Sequence, residues 1–362
     1  MGDAVGSHPA MTTRIAINGL GRVGRALVRI ARGRGGLEVA AINDPAPPAA
    51  LARLLAHDSI HGRFPGEVAA EGAGRSPQES GALLLDGRRV PVYAEPEPGR
   101  IPWDETGAGI VVEATGRFRT RELAGRHLSQ RGGTIARVVV SSTAEGADAT
   151  FCFGLNHERF DPERHRVVSN ASCTTNCVAP LARVLLDAFG VEHALMQTVH
   201  CYTNSQRLVD MAHEDPRRAR AAAVNVIPTT SDAVEALPLV VPEMAGRFDG
   251  LAYRVPVPDG SLVDLTARLG REAGPEEVRA AFRAAAAGPL GAILAVTEEE
   301  LVSSDFLGSP YSATVDLPLV QVTGGRLARV VAWYDNEWGY ANRLADLLLY
   351  MGRVTTGGGG RT

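Results

Sequence analysis

The 362 residues, 45% hydrophobic and 22% charged with a formal net charge of -4, have an ordinary globular composition and exceed the size at which one core usually keeps growing, so two domains are expected. There is no basic excess to suit a nucleic-acid backbone and no apolar run long enough to span a bilayer, which leaves small molecules as the expected partners. Lysine is absent from the sequence, so Schiff-base chemistry on lysine is excluded, and four cysteines in so long a chain do not form a secreted-type disulfide framework.

The opening dozen residues carry no signal-like apolar core, so a cytoplasmic protein with reduced thiols is expected. "RIAING" reads as a short buried strand, "GRVGRALVRIARGR" as a helix with apolar residues at helical spacing, and "LEVAAIND" as a second strand. "AAEGAGRSPQES", residues 69–80, is rich in turn formers and predicts a surface loop. "GIVVEATG" and "ARVVVSS" follow as buried parallel strands, with "RTRELAGRHLSQRG" as the helix between them. Together these predict a doubly wound, Rossmann-type parallel sheet over residues 12–168. Beyond it, "ALMQTVHCYT", "GLAYRVPV", "SLVDLTARLG" and "RLARVVAWYD" are longer strand-like runs interleaved with alanine-rich helices, which predict a second, α+β domain on a mixed sheet over 169–336. A C-terminal helix over about 337–352 is expected to rejoin the first domain, with disordered tails at 1–11 and 354–362.

Gly19-x-Gly21-x-x-Gly24 falls between the first strand and the first helix, and Asp44 ends the next strand about 20 residues on. The first glycine permits the tight turn and the second a close approach of backbone to pyrophosphate, at the positive end of a helix. Asp44 suits a ribose and repels a 2' phosphate, which favours NAD over NADP. A plain glycine turn with a capping aspartate is the competing reading.

"SNASCTTNCVAPLARVLL" places Cys173 ahead of a helix-patterned run. A helix N-terminus lowers a thiol's pKa through its free N–H groups, and Ser172, Thr174 and Thr175 can satisfy first-turn amides or bind an anion. Packing is the competing reading for a cysteine and is assigned to Cys177, one turn further on. A nucleophilic thiol needs a base, and His200, at the end of the strand in "QTVHCYTNSQ", is the choice, although a core histidine at a strand end reads equally well. A metal site from Cys173, Cys177, His200 and Cys201 is disfavoured because CxxxC lacks a matching second pair, so no metal is expected. His57, His61, His127, His157, His165, His193 and His213 sit in polar contexts that predict solvated or capping roles.

The blocks "INGLGRVGR", "LLAHDSIHGRF", "IPW", "VVEATGRF", "GLNH", "SNASCTTNC", "TVHCYTNSQ", "RRARAA", "YRVPVPDGSLVDLT" and "WYDNEWGY", spread from about residue 14 to 349, resemble the phosphorylating glyceraldehyde-3-phosphate dehydrogenase family. The resemblance implies that Cys173 is the nucleophile and His200 its base, in an oxidation that passes a hydride to NAD and a thioester to inorganic phosphate. It implies cofactor contacts at Arg22 and Val23 of the glycine turn, at Asp44, at Ser141, and at Asn336 with Tyr340. Ser172, Thr174, Thr203, Ser231 and Arg254 match positions that bind the substrate phosphate and the attacking phosphate. The segment "QRLVDMAHEDPRRARAAAVNVIP" matches a loop that crosses a subunit boundary, which implies a homotetramer.

Two departures bear on the phosphate steps. Where the family shows a threonine-glycine pair and then a lysine, "IPTTSDAVEAL" has Ser231 and Asp232, then Glu235. The usual alanine-proline after Ser141 is replaced in "SSTAEGAD". A carboxylate close to an anion site disfavours the anion, so either Asp232 points aside or phosphate binds weakly. A dehydrogenase of the same fold acting on erythrose 4-phosphate or another aldehyde, with water taking the thioester, and a cofactor-binding regulatory protein without turnover therefore stand as alternatives.

Overall fold

The computed structural model describes residues 12–72, 74–129 and 133–356. The expected tails at 1–11 and 357–362 lie outside the described residues, while residues 354–356 form the last turn of a helix rather than a tail.

The chain begins with β1 (Thr13–Asn18), α1 (Arg22–Gly33), β2 (Leu37–Asn43) and α2 (Pro48–Ala56), then a small hairpin of β3 (His57–Asp58) and β4 (Gly62–Arg63). β5 (Val68–Glu71), β6 (Glu79–Leu85), β7 (Arg88–Tyr93), β8 (Ile110–Glu113), α3 (Arg121–Gly125), β9 (Arg137–Val140), β10 (Ala149–Thr150) and β11 (Val167–Ser169) follow. Their sheet has the order β10-β11-β9-β8-β1-β2-β7-β6-β5. From β10 to β7 the pairings are parallel, and β6 and β5 close the edge antiparallel. The order reverses about β1, the switch point at which an open α/β sheet leaves a crevice beyond the carboxyl ends of its strands.

The second sheet is built after α4 (Cys173–Phe189), from β12 (Val191–Cys201), β13 (Ile227–Thr229), α5 (Ala233–Val240), β14 (Phe248–Val255), β15 (Ser261–Leu269), α6 (Pro275–Ala287), β16 (Leu294–Thr297), β17 (Ala313–Asp316), β18 (Gln321–Thr323) and β19 (Leu327–Tyr334). It runs β13-β14-β12-β15-β19-β17-β16, with β18 alongside β19, and mixes parallel with antiparallel pairs, as the longer alternating runs predicted. Val178, Leu181 and Leu185 of α4 pack with Val263, Leu265 and Val330 of this sheet in one buried cluster. The last helix, α7 (Trp338–Thr356), returns to the first sheet, where Leu344, Leu347 and Leu348 join Leu27, Val28 and Ile30 of α1.

Two local expectations are corrected. The segment 69–80 is not only a loop: its ends lie in β5 and β6, which pair antiparallel because Leu83 and Leu85 bury one face of that edge. The helix expected over 119–132 shrinks to Arg121–Gly125, capped by Thr120, whose hydroxyl accepts from the Leu123 N–H at 3.2 Å. The chain then turns His127 inward to hydrogen bond with Glu113 and Trp103.

Candidate active site

The glycine turn after β1 gives each glycine a separate job. Gly19 has φ +95°, and a Cβ there would lie 2.9 Å from the Ala114 backbone. A Cβ on Gly24 would lie 2.3 Å from the Gly19 carbonyl oxygen, so the first turn of α1 sits directly against the loop. Gly21, the exposed N-cap of α1, has open space on its Cβ side. A pyrophosphate can therefore approach bare backbone there, at the positive helix end. Asp44, just past β2, accepts from the Leu20 N–H and the Ala46 N–H, each at 2.9 Å, which fixes its carboxylate at the rim of the same turn. Ser141 lies just past β9, its N–H donating to the Glu113 carbonyl at 2.9 Å. The turn, Asp44 and Ser141 thus line the carboxyl ends of neighbouring parallel strands, and the residues present fit a dinucleotide.

The Arg22 side chain takes a different course. Its Nε and Nη2 donate to Glu337 at 2.8 and 2.5 Å, and its Nη1 donates to Asp58. Val23, next to it, is half-buried and packs on the core of the first sheet. Arg22 thus ties the glycine turn to the turn before α7, with its guanidinium committed to those two carboxylates. His61, expected to be solvated, is corrected: its side chain is 6% exposed and its Nε2 lies 3.0 Å from Glu337 Oε2. His127 is likewise buried, with Nε2 3.0 Å from Glu113 Oε2. Burial would raise the Glu337 carboxyl, but hydrogen bonds from His61 and Arg22 outweigh it and hold it below its usual range. Near His61 lie the buried Asp259 and Asp335, and burial together with those neighbouring carboxylates pushes Asp259 up to about 9.

Cys173 opens α4. Its N-cap, Ser172, accepts from the Thr175 N–H at 3.0 Å, so the Ser172 hydroxyl is engaged in capping. The preceding turn is strained: Ala171 has φ +56°, uncommon for a residue with a side chain. Several bonds hold it there. The Ala171 N–H donates to Ser169 Oγ at 3.0 Å, and the Asn176 amide donates to the Asn170 and Ser172 carbonyls at 2.9 and 3.0 Å. The Tyr340 hydroxyl donates to the Ala171 carbonyl at 3.0 Å. A strained backbone over-determined by its surroundings is characteristic of a functional site.

His200 arrives by length matching. α4 rises about 25 Å over its 17 residues. Gly190, at φ +71°, reverses the chain, and the nine steps from Val191 to His200 along β12 return about 30 Å. The result sets Cys173 Sγ 3.4 Å from His200 Nε2. Two groups compete for His200 Nδ1: the Cys201 carbonyl oxygen at 2.8 Å accepts a proton held there, whereas Arg254, a pure donor, favours the bare nitrogen; a base role needs the tautomer with the proton on Nδ1 and Nε2 free. Arg254 stands opposite His200 in the parallel β12–β14 register, with Nη1 2.5 Å from the imidazole Nδ1 and 3.0 Å from the Cys201 carbonyl. Cys173 is half-buried; Cys152, Cys177 and Cys201 are buried, and all four cysteines are free.

The electrostatics correct one expectation. Burial pushes the Cys173 thiol up, and Arg254 and the first-turn N–H groups only partly offset it. Burial, with Arg254 beside it, pushes His200 down to about 3. Desolvation outweighs the helix terminus, so each group alone favours its neutral form. Mutual attraction, about 5 kcal/mol at 3.4 Å for an effective dielectric near 20, lowers the cost of separating charge between them without making the ion pair the resting state.

The remaining residues divide. Thr174 Oγ1 lies 3.0 Å from the Tyr334 hydroxyl, which also bonds Thr198, while the Tyr334 ring stands edge-on to His200 at 6.0 Å. Tyr334 links the helix that Cys173 opens, the strand that carries His200 and the imidazole face, and sequence reasoning missed it although it stands inside "WYDNEWGY". Asn336 is buried and its Oδ1 accepts from Ser261 at 2.7 Å, which turns the amide NH2 the other way. Thr203 pairs its hydroxyl with Ser205 at 2.9 Å, and Ser231 Oγ accepts from the Ala233 N–H at 3.4 Å. Asp232 does point aside, towards Arg119 and Thr143, and Glu235 lies in the first turn of α5, where helix amides favour a carboxylate.

The fold and these groups define a dinucleotide-binding α/β protein with a cysteine–histidine pair between its two sheets. Residues 13–121 match the description "Glyceraldehyde 3-phosphate dehydrogenase, NAD binding domain", and residues 172–336 match the same family's C-terminal domain. The chain is 50% identical over 337 residues to the glyceraldehyde-3-phosphate dehydrogenase of Kitasatospora aureofaciens, covering 93% of this chain and 98% of that protein. It is 46% identical over 341 residues to that of Geobacillus stearothermophilus, with 94% and 98% covered. It is 48% identical over 343 residues to glyceraldehyde-3-phosphate dehydrogenase 2 of Streptomyces arenae, with 94% and 99% covered. The chain belongs to the glyceraldehyde-3-phosphate dehydrogenase family.

Proposed function

We propose that the protein oxidises glyceraldehyde 3-phosphate with NAD and passes the acyl group to inorganic phosphate, giving 1,3-bisphosphoglycerate through a thioester on Cys173. The observation that carries this reading is the 3.4 Å approach of Cys173 Sγ to His200 Nε2 at the start of α4, with Arg254 beside the imidazole.

His200 takes the thiol proton as the sulfur bonds to the aldehyde carbon and returns it to the aldehyde oxygen, giving a hemithioacetal and a neutral imidazole. A substrate phosphate that engages Arg254 draws its charge off the imidazole and so eases that proton transfer. NAD, when bound, supplies the hydride acceptor; the glycine turn, Asp44, Ser141 and the Asn336 amide are the groups that hold it. His200 takes the hemithioacetal hydroxyl proton as the thioester forms. A phosphate oxygen then attacks the acyl carbon and the Cys173 sulfur leaves as thiolate. Ser172, Thr174, Thr203, Ser231 and Arg254 serve the two phosphate groups in this reading. Tyr340 acts through the Ala171 carbonyl, fixing the turn that presents Cys173.

We divide the chain into an NAD-binding domain over 12–168, completed by α7, and a catalytic domain over 169–336. The protein works as a cytoplasmic homotetramer in this account. Leu208, Val209, Met211 and Val226 in and beside the 206–228 segment are 57–72% exposed, an apolar run that a neighbouring subunit would cover. Among the described residues no helix is long and apolar enough to cross a membrane.

Initial rates with glyceraldehyde 3-phosphate and NAD, with and without inorganic phosphate, test the reading. Turnover is expected to depend on phosphate and to accept arsenate in its place. Turnover indifferent to both would mean that water takes the thioester.

A further inference from the structure

Asp232 is the N-cap residue of α5, yet its side chain makes no capping bond. An aspartate at that position ordinarily accepts from the first helical turn. Here Oδ2 instead accepts from Arg119 Nη2 at 2.5 Å and from Thr143 Oγ1 at 2.9 Å, and Arg119 Nη2 also donates to Thr143 Oγ1 at 2.8 Å. The three side chains close a ring across the two sheets: Arg119 and Thr143 come from the loops after β8 and β9, Asp232 from the segment between β13 and α5. The loops of the first sheet are themselves tied together, with the Arg121 N–H donating to the Glu145 carbonyl at 2.8 Å and the Glu145 N–H to the Arg119 carbonyl at 2.9 Å. Asp232 is one of the departures that put the phosphate steps in question, and Thr143 stands in the replaced pair after Ser141.

We infer that Arg119 is a positioning residue for the attacking phosphate: it turns the Asp232 carboxylate away from the anion site at Ser231 and cancels its charge. This rests on the phosphorylating reading above. Without Arg119, a free carboxylate adjoins Ser231, the residue that receives a dianion in this reading, and a like charge within about 4–6 Å disfavours an anion, an effect expected to weaken phosphate binding roughly tenfold. Removing the charge of Asp232 as well takes that repulsion away. A merely structural brace would behave otherwise, since deleting its second half would not restore what deleting the first had cost.

The test is a double-mutant cycle of Arg119→Ala, Asp232→Asn and both together, with Arg119→Lys as the conservative variant, measuring the KM for inorganic phosphate alongside the phosphate-free burst of NADH. For Arg119→Ala the phosphate KM is expected to rise roughly tenfold with the burst and the KM for glyceraldehyde 3-phosphate unchanged. The double variant is expected to return to within about twofold of wild type, and Arg119→Lys to lie between. An unshifted phosphate KM in Arg119→Ala, or no recovery in the double variant, overturns the inference alone. Wild-type turnover indifferent to phosphate overturns the proposed function and this inference with it.

Discussion

Cys173→Ser will bind NAD as the wild type does and turn over glyceraldehyde 3-phosphate at least roughly a thousandfold more slowly. An alcohol is a far weaker acid than a free thiol, by about seven pKa units. His200 can relieve a thiol of its proton across 3.4 Å, but the same imidazole, pushed down by burial and Arg254, is far too weak a base for an alcohol. Serine is also compatible with the first helical position and with the Ser172 cap, so the fold survives. Steady-state rates and NAD titration on the purified variant check this. A variant keeping more than a few per cent of wild-type turnover would contradict the covalent mechanism.

His200→Asn will lose about two to four orders of magnitude in kcat/KM, the usual worth of a positioned general base. It will also slow alkylation of Cys173 by iodoacetamide at neutral pH. The reactive species is the thiolate, so removing the partner that accepts the proton raises the apparent pKa and moves the whole rate profile to higher pH. Asparagine retains a donor towards the Cys201 carbonyl, which separates loss of the base from loss of the strand end. Alkylation rates measured across pH for both proteins give the comparison; superimposable profiles would remove His200 from the role of base.

How far such a site can be read from sequence depends on the range of the interactions that make it. Local ones were legible. The glycine turn works through a φ of +95° at Gly19 and a 2.3 Å limit at Gly24, both set by neighbours in chain, and the position of Cys173 at the start of α4 follows from the Ser172 cap and the apolar spacing after it. Register was not legible. His200 and Arg254 face each other because β12 and β14 pair in parallel, and nothing in either stretch announces which residue opposes which. Burial of histidine misled for the same reason: His61 and His127 have polar chain neighbours, while the acids that let them be buried, Glu337 and Glu113, are 276 and 14 residues away.

The expected thiolate failed on a matter of magnitude. A helix terminus is worth about 0.3–1 kcal/mol, and removing a thiolate or imidazolium from water costs more, so the terminus biases the pair without ionising it. The phosphate conflict was visible in sequence as an acid where a glycine is usual, but its resolution was not, because Arg119 lies 113 residues from Asp232.

The central claim is that the acyl group resides on one particular sulfur. Mixing the protein with glyceraldehyde 3-phosphate and NAD in the absence of phosphate, quenching in acid within the first turnover and mapping peptides by mass spectrometry tests it directly. A single burst of NADH with a 3-phosphoglyceroyl adduct on Cys173 is the predicted result. A full burst with no adduct, or with the adduct on Cys177 or Cys201, would contradict it.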